Sequence, residues 1–258
     1  MYGINIDSLL YKPGPVGYME KYLTLLPVPH LRGARDWEVG QDIVIYYHGN
    51  GCDAGDVASS LYFPGFNTMY MEYPGYGHYI EDNDTSCALA STMTCATSRS
   101  TGHNACSSAK IISDVRCLAR YLSDKRAVQN YAVEVHIIGE SIGSGPACHL
   151  ASILTLLGCP VASLQLISPF TSINQLAGEH SWGPLRHVVA NPYPNLELVR
   201  TLNHGVHVHH GTRDTIIGVH HAYEFNHLPN VTLRTYDSDH NEIWDKAYER
   251  IHSILTSS

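Results

Sequence analysis

Residues 133–146 read V-E-V-H-I-I-G-E-S-I-G-S-G-P, and the fold turns on how this stretch is understood. An apolar run ends in Gly139-Glu140-Ser141-Ile142-Gly143 and passes at once into a small-residue helical pattern. This is the G-x-S-x-G form in the context that gives it meaning: strand, sharp turn, helix. A strand that reverses into a helix within two residues crowds the positions beside the turn, so a Cβ at 139 or 143 would meet neighbouring backbone. The serine must accept strained dihedrals, and the turn carries its hydroxyl to a helix N-terminus, where negative charge is favoured. Alone, five such residues arise by chance in a chain of this length with probability on the order of 0.1. A glycine-rich turn with a capping serine would read the same way, so the surroundings must decide.

Upstream, I43-V-I-Y-Y47 is a continuous β-branched and aromatic run, the pattern of a strand buried on both faces. It ends in His48-Gly49-Asn50-Gly51, after which Asp53 or Asp56 can cap a helix over 55–63. A second buried strand is predicted at 68–73. Before them, 18–28 and 30–39 suit two antiparallel strands at a sheet edge. Downstream of a helix predicted over 108–125 and the opening stretch, a helix over 142–157, a strand over 161–167 and a strand over 205–210 follow. A helix over 216–227, a strand over 231–236 and a helix over 241–256 close the chain. Strands alternating with helices imply a mostly parallel sheet covered on both sides. No linker or repeat divides residues 1–258, so one domain is expected.

Two stretches break this rhythm. Residues 78–107 are polar, without apolar period, and contain Cys87, Cys95 and Cys106; they read as a flap-like insert. Those cysteines with His103 match no zinc-module spacing. Residues 171–203 form an irregular insert containing Pro and Trp, a short cap.

Composition narrows the function. A net charge of −8 argues against nucleic acid or an anionic membrane surface as partner. No run approaches the ~20 apolar residues that cross a bilayer. The opening Met1-Tyr-Gly-Ile-Asn-Ile-Asp shows neither a signal peptide nor an acylation motif, so no intrinsic membrane anchor is expected. The seven cysteines include no C-x-x-C and fit reduced thiols in a cytoplasmic protein.

A serine hydroxyl needs a base within hydrogen-bond reach, and the base needs an orienting acid. In a doubly wound sheet the loops at the strand carboxyl ends share one crevice. Asp214 follows the strand 205–210 in His210-Gly211-Thr212-Arg213-Asp214, and His240 follows the strand 231–236 in Asp237-Ser238-Asp239-His240-Asn241. The order Ser141, Asp214, His240 is that of α/β-hydrolases and differs from the trypsin-like and subtilisin-like orders. With 17 histidines in the chain, a His in one loop is cheap, and His240 could simply cap the last helix. Asp237 rivals Asp214 as the acid; Asp239 is too near His240 along the chain. His207 and His209 share one strand face while His210 takes the other, which argues against a metal ion held with Asp214 and for core histidines. Glu140 is expected to point away from the nucleophile. The oxyanion hole should use the backbone N–H groups of Ile142 and of Asn50.

Six landmarks together resemble the α/β-hydrolase superfamily: Y-Y-H-G-N-G (46–51), E-Y-P-G-Y-G (72–77), G-E-S-I-G-S-G-P (139–146), I-S-P-F-T-S-I (167–173), H-G-T-R-D (210–214) and D-H-N-E-I-W (239–244). They are similar to its short-capped branch of protein depalmitoylases and serine-peptidase-like relatives, over roughly residues 40–256. The resemblance implies a mainly parallel eight-stranded sheet with one antiparallel strand near the N-terminus. It also implies Ser141 as nucleophile, His240 as base, Asp214 as acid and the Asn50 and Ile142 amides as oxyanion hole. The depalmitoylases' N-terminal cysteine cluster and other relatives' membrane segment have no counterpart here, and the insert at 78–107 is longer than usual.

The expectation is a cytoplasmic serine hydrolase cleaving an acyl ester or thioester of a small molecule or acylated protein, without metal or organic cofactor. Phe170, Trp182 and Tyr193 are placed by position as walls of the acyl pocket. The alternatives are a serine peptidase and a catalytically idle binding protein; an intact triad argues against the second.

Overall fold

A computed structural model describes residues 11, 23–25, 31–34, 38, 40–77, 106–129, 133–179 and 190–257. Trp182, Cys87, Cys95, His103 and residues 78–105 of the flap-like insert lie outside these. Two short N-terminal strands, β1 (Leu23–Leu25) and β2 (Leu31–Ala34), pair antiparallel, and β2 pairs antiparallel with β4 (Asn67–Met71). The β-branched and aromatic runs supply the other strands: β3 (Ile43–Tyr47), β5 (Val135–Glu140), β6 (Val161–Ile167), β7 (Val206–Gly211) and β8 (Val231–Tyr236). Strands β3 to β8 pair in parallel, and all eight form one sheet in the order β1-β2-β4-β3-β5-β6-β7-β8. Only β2 runs against the rest, as the sequence led one to expect.

Helices lie on both faces. On one, α1 (Ala54–Ser60) and α7 (Ile243–Leu255) cover Val44, Tyr46, Ile138 and Ile167. On the other, α2 (Ser108–Gln129), α3 (Ser144–Leu156), α5 (Asn195–Arg200) and α6 (His220–Phe225) enclose Ile45, Ile137, Leu164 and Val208. Strand β3 is followed by its neighbour on one side, β4, and then the chain crosses to β5 on the other. This reversal opens a crevice at the carboxyl ends of β3 and β5, the place where a doubly wound sheet puts its ligand.

Local chemistry sets several boundaries. Both acids suggested as caps of α1 are used: Asp53 accepts from the Asp56 N–H at 2.9 Å and its own N–H reaches the Asp56 carboxylate at 3.3 Å, a capping box. The helix expected over 216–227 is shorter, because the Asp214 carboxylate takes the Ile216 and Ile217 N–H groups at 2.9 and 2.8 Å and holds them in a turn. The insert at 171–203 is less irregular than expected, with α4 (Ile173–Glu179) and α5 in its described parts.

The face under α7 carries a buried polar row across the sheet. The Tyr236 hydroxyl meets His209 Nδ1 at 2.9 Å, and His209 Nε2 meets Gln165 Oε1 at 3.0 Å. Gln165 Nε2 donates to Ser163 Oγ at 3.3 Å, which lies 2.9 Å from His136 Nδ1. Because the amide oxygen only accepts, His209 carries its proton on Nε2 and accepts from Tyr236.

Candidate active site

Ser141 begins the turn after β5 with φ at 52°, in the left-handed region that a residue with a Cβ enters at a cost. The neighbouring glycines make the turn possible. A Cβ on Gly143 would lie 2.2 Å from the Tyr47 carbonyl oxygen, and one on Gly139 would lie 2.5 Å from the Ala147 Cβ. The turn is then tied down. Ser144 Oγ donates to the Ser141 carbonyl at 2.7 Å, and Asn195 Nδ2 donates to Ser144 Oγ at 3.1 Å and to the Phe170 carbonyl at 3.0 Å.

The loop after β8 brings His240 to this hydroxyl. His240 Nε2 is 3.0 Å from Ser141 Oγ, and His240 Nδ1 is 2.6 Å from Asp214 Oδ2. A carboxylate only accepts, so the imidazole proton sits on Nδ1 and Nε2 is left to accept from the serine. His240 does not cap the last helix. That helix has Glu242 at its N-cap and no side-chain cap; Asp239 instead holds the turn before it, accepting from the Asn241 and Glu242 N–H groups at 2.9 Å each. Asp237 is exposed and pairs with Arg213 Nε at 2.8 Å, so it is no rival for the imidazole.

Asp214 is held on all sides. Besides the two backbone N–H groups on Oδ1, its Oδ2 lies 3.4 Å from His210 Nε2, which itself donates to the Ile217 carbonyl at 2.8 Å. Burial alone would raise the carboxyl's pKa. The His210 and His240 hydrogen bonds, the His240 charge and the Ile217 N–H outweigh it and hold the group well below the usual carboxylate range. Strand alternation places His210 opposite His209 correctly, but it gives no hint that the following loop folds Asp214 back onto that ring.

Glu140 points away from Ser141. Its Oε2 accepts from the Trp244 indole N–H at 3.0 Å and from the Tyr46 hydroxyl. Opposite Ser141 stands the loop after β3. Beneath it, His48 Nδ1 donates to the Gly49 carbonyl at 2.8 Å and its Nε2 faces Glu72 Oε1 at 3.5 Å, both side chains being fully buried. The Tyr73 hydroxyl donates to the His48 carbonyl at 3.0 Å, and Asn50 Oδ1 accepts from the Tyr76 hydroxyl at 2.5 Å. Burial opposes a charge on His48, yet Cys52 and Glu72 beside it outweigh burial and push the imidazole up to about 10. Sequence reading missed this ion pair. Its signal lay in the parallel register, which sets Tyr47 beside Met71 and therefore the next residues, His48 and Glu72, beside each other.

The suggested pocket residues stand differently. Phe170 and Tyr193 have no exposed surface, and their ring centroids are 6.5 Å apart. The Tyr193 ring lies against Gly145, where a Cβ would come within 2.4 Å of it, and its hydroxyl is 2.6 Å from that of Tyr11. Both rings therefore pack in the core around α3. Among the described residues, two groups bring three metal-type donors within 4.8 Å of one another: Glu179, His220 and His221, and Asp42, Glu134 and His136. Neither contains Ser141, His240 or Asp214. Cys52, Cys148 and Cys159 are free thiols. No described helix is long and apolar enough to cross a membrane.

No known family model matches the sequence. Over 108 residues it is 32% identical to an uncharacterised protein of Mycobacterium tuberculosis, found in two strains, with 42% of this chain aligned. The alignment spans only 36% of that relative's length. Solved structures resemble it over nearly the whole chain. The Pyrococcus furiosus esterase Pf2001 superposes with a TM-score of 0.63 at 15% identity, covering 96% of this chain and 97% of the esterase. A serine hydrolase involved in carbazole degradation gives 0.56 at 13% identity, covering 88% and 95%. Esterase RhEst1 from a Rhodococcus species gives 0.54 at 14%, covering 88% and 91%. At such identities the likeness speaks for the fold: the chain has the α/β-hydrolase fold.

Proposed function

We propose that this protein is a serine hydrolase that cleaves an acyl ester or thioester through an acyl-enzyme. One observation carries the reading: His240 bridges Ser141 Oγ, at 3.0 Å, and the buried Asp214 carboxylate, at 2.6 Å. In this reading Ser141 Oγ attacks the acyl carbonyl while His240 Nε2 takes its proton. The proton then passes to the leaving alcohol or thiol. Water, deprotonated by the same nitrogen, attacks the acyl-enzyme and frees the acid and the serine. Asp214 keeps the imidazole in the tautomer that can accept, and it favours the imidazolium that forms transiently.

The N–H groups of Ile142 and Asn50 are assigned to the oxyanion. Their positions support this: one directly follows the nucleophile, the other sits in the loop across the crevice. The superposed esterases and the serine hydrolase support a hydrolytic reaction. A fatty acyl thioester on a protein is the finer proposal, supported by the motif resemblance to depalmitoylases, as is a cytoplasmic location by the sequence features above. The segment 171–203 is assigned as a short cap on a single domain, with residues 78–107 as a flap.

A fluorophosphonate probe tests the chemistry. Wild type should label and turn over p-nitrophenyl esters, and Ser141→Ala should do neither, losing about 10⁴-fold or more in kcat while melting as wild type does. Folded wild type that neither labels nor turns over any ester would sink the proposal. Acyl esters of rising chain length, a palmitoyl-thioester peptide and aminoacyl-anilides in one panel separate esterase, thioesterase and peptidase.

A further inference from the structure

The second imidazole-rich cluster lies outside this chemistry. Glu179 ends α4, while His220 and His221 open α6, so the cluster joins the insert after β6 to the segment that follows the Asp214 loop. Consecutive residues of a helix normally diverge by about 100°. Here the two rings stack, with centroids 4.6 Å apart and planes 29° from parallel. Both Nε2 atoms converge on one carboxylate, His220 on Glu179 Oε1 at 2.8 Å and His221 on Oε2 at 3.1 Å. The convergence uses Gly218: a Cβ there would lie 2.5 Å from His220 Nδ1, in the space the folded-back ring occupies.

We propose that Glu179, His220 and His221 form a binding site for a borderline divalent transition metal, represented by Zn²⁺. Two imidazoles and a carboxylate are the donor set such ions prefer, and an alkaline-earth ion does not. Tetrahedral ligands around Zn²⁺ stand about 3.3 Å apart. The two nitrogens lie 2.8 and 3.1 Å from the two carboxylate oxygens, and the three donors lie within 4.8 Å of one another, so all three side chains are within a small adjustment of that spacing. Water supplies the fourth position on the solvent side. His221 is fully buried, and its Nδ1 is held by Thr171, whose Oγ1 lies at 3.0 Å and whose N–H lies at 3.2 Å.

These two contacts suit two tautomers. Without metal, the Thr171 N–H donates to Nδ1 and the proton on Nε2 goes to Glu179. With metal on Nε2, the proton sits on Nδ1 and donates to Thr171 Oγ1, which already passes its own hydrogen to Gln175 Oε1 at 2.6 Å. A partner fixed behind the ring in this way is what orients a ligating histidine. No net proton is lost from His221 in the exchange.

Zn²⁺ titrated into the chelator-stripped full chain, in competition with a chromophoric chelator, reads the site. Wild type should bind one Zn²⁺ that His220→Ala and Glu179→Gln weaken at least ~10-fold, and that Thr171→Val weakens by ~10–100-fold. Zn²⁺ should raise the melting temperature of wild type and not of His220→Ala. His220 and Glu179 are surface residues, so both variants should fold. If wild type binds no Zn²⁺ below ~100 µM, or if His220→Ala and Glu179→Gln bind it as wild type does, the cluster is a hydrogen-bonded clasp and the proposal fails.

Discussion

Glu140 adjoins Ser141 in sequence and faces the other way, toward Tyr46 at the end of β3 and Trp244 in α7. One carboxylate oxygen thus gathers the elements that carry the β3 loop, the serine and the His240 loop. Removing it leaves two donors without their acceptor in a partly buried place, at a cost of about 1–3 kcal/mol. Glu140→Ala should lower the urea midpoint accordingly and reduce kcat more than it raises KM, since the side chain does not face the crevice. A matching loss in Trp244→Phe, not additive with Glu140→Ala, would show that the two act as a pair. At this scale the sequence was informative about position and poor about partners. Ser141, Asp214 and His240 could be placed because chain order and strand ends suffice to find them. The ring of His210 against Asp214 and the His48–Glu72 pair depend on where a loop folds back or which strands are neighbours, and neither is local. Phe170 and Tyr193 show the same limit: an aromatic residue near a strand end can line a crevice or fill the core beneath it, and composition does not choose.

The elements were legible wherever a run was long or apolar enough to have a period. I43-V-I-Y-Y47 and V161-A-S-L-Q-L-I167 fit the strands they form, and α7 shows its buried stripe at Ile243, Ala247, Ile251 and Ile254. The helices α4 and α5 escaped because seven and six residues are too few to display a helical face. Turn chemistry was the more telling signal around Ser141. Gly143 lies against the Tyr47 and His48 carbonyls, so a methyl there must push β3 and its loop away from the turn. Gly143→Ala should therefore lose stability near or above the top of the ~1–3 kcal/mol usual for overpacking. Activity per folded molecule should fall with it, measured beside a urea melt. Gly158→Ala, at a positive φ but with open space around it, should cost less and leave activity intact.

For the whole molecule, the buried row from His136 to Tyr236 makes stability depend on pH. An imidazole titrates at 6.5 in the unfolded chain, whereas burial, reinforced by the charges of His207, Arg234 and Arg250, holds His209 down to about 3. Its contribution is complete above 6.5 and is lost as pH falls toward 3, because there the unfolded chain takes up a proton that the folded one refuses. Asp214, held below its ordinary value, acts in the same direction at the acidic end. His209→Gln should flatten the pH dependence of unfolding over that window by about one proton, ~1.4 kcal/mol per pH unit, in urea melts taken at successive pH values. An unchanged slope would mean that His209 is protonated inside the fold. The same molecule-wide arrangement sets when Ser141 can meet His240. His240 lies 99 residues beyond Ser141 along the chain. At about 5–20 residues per second, a ribosome needs several seconds to cover that gap. Throughout that time Ser141 has no His240 to hydrogen-bond, so the arrangement proposed for catalysis is assembled only after residue 240 has been made.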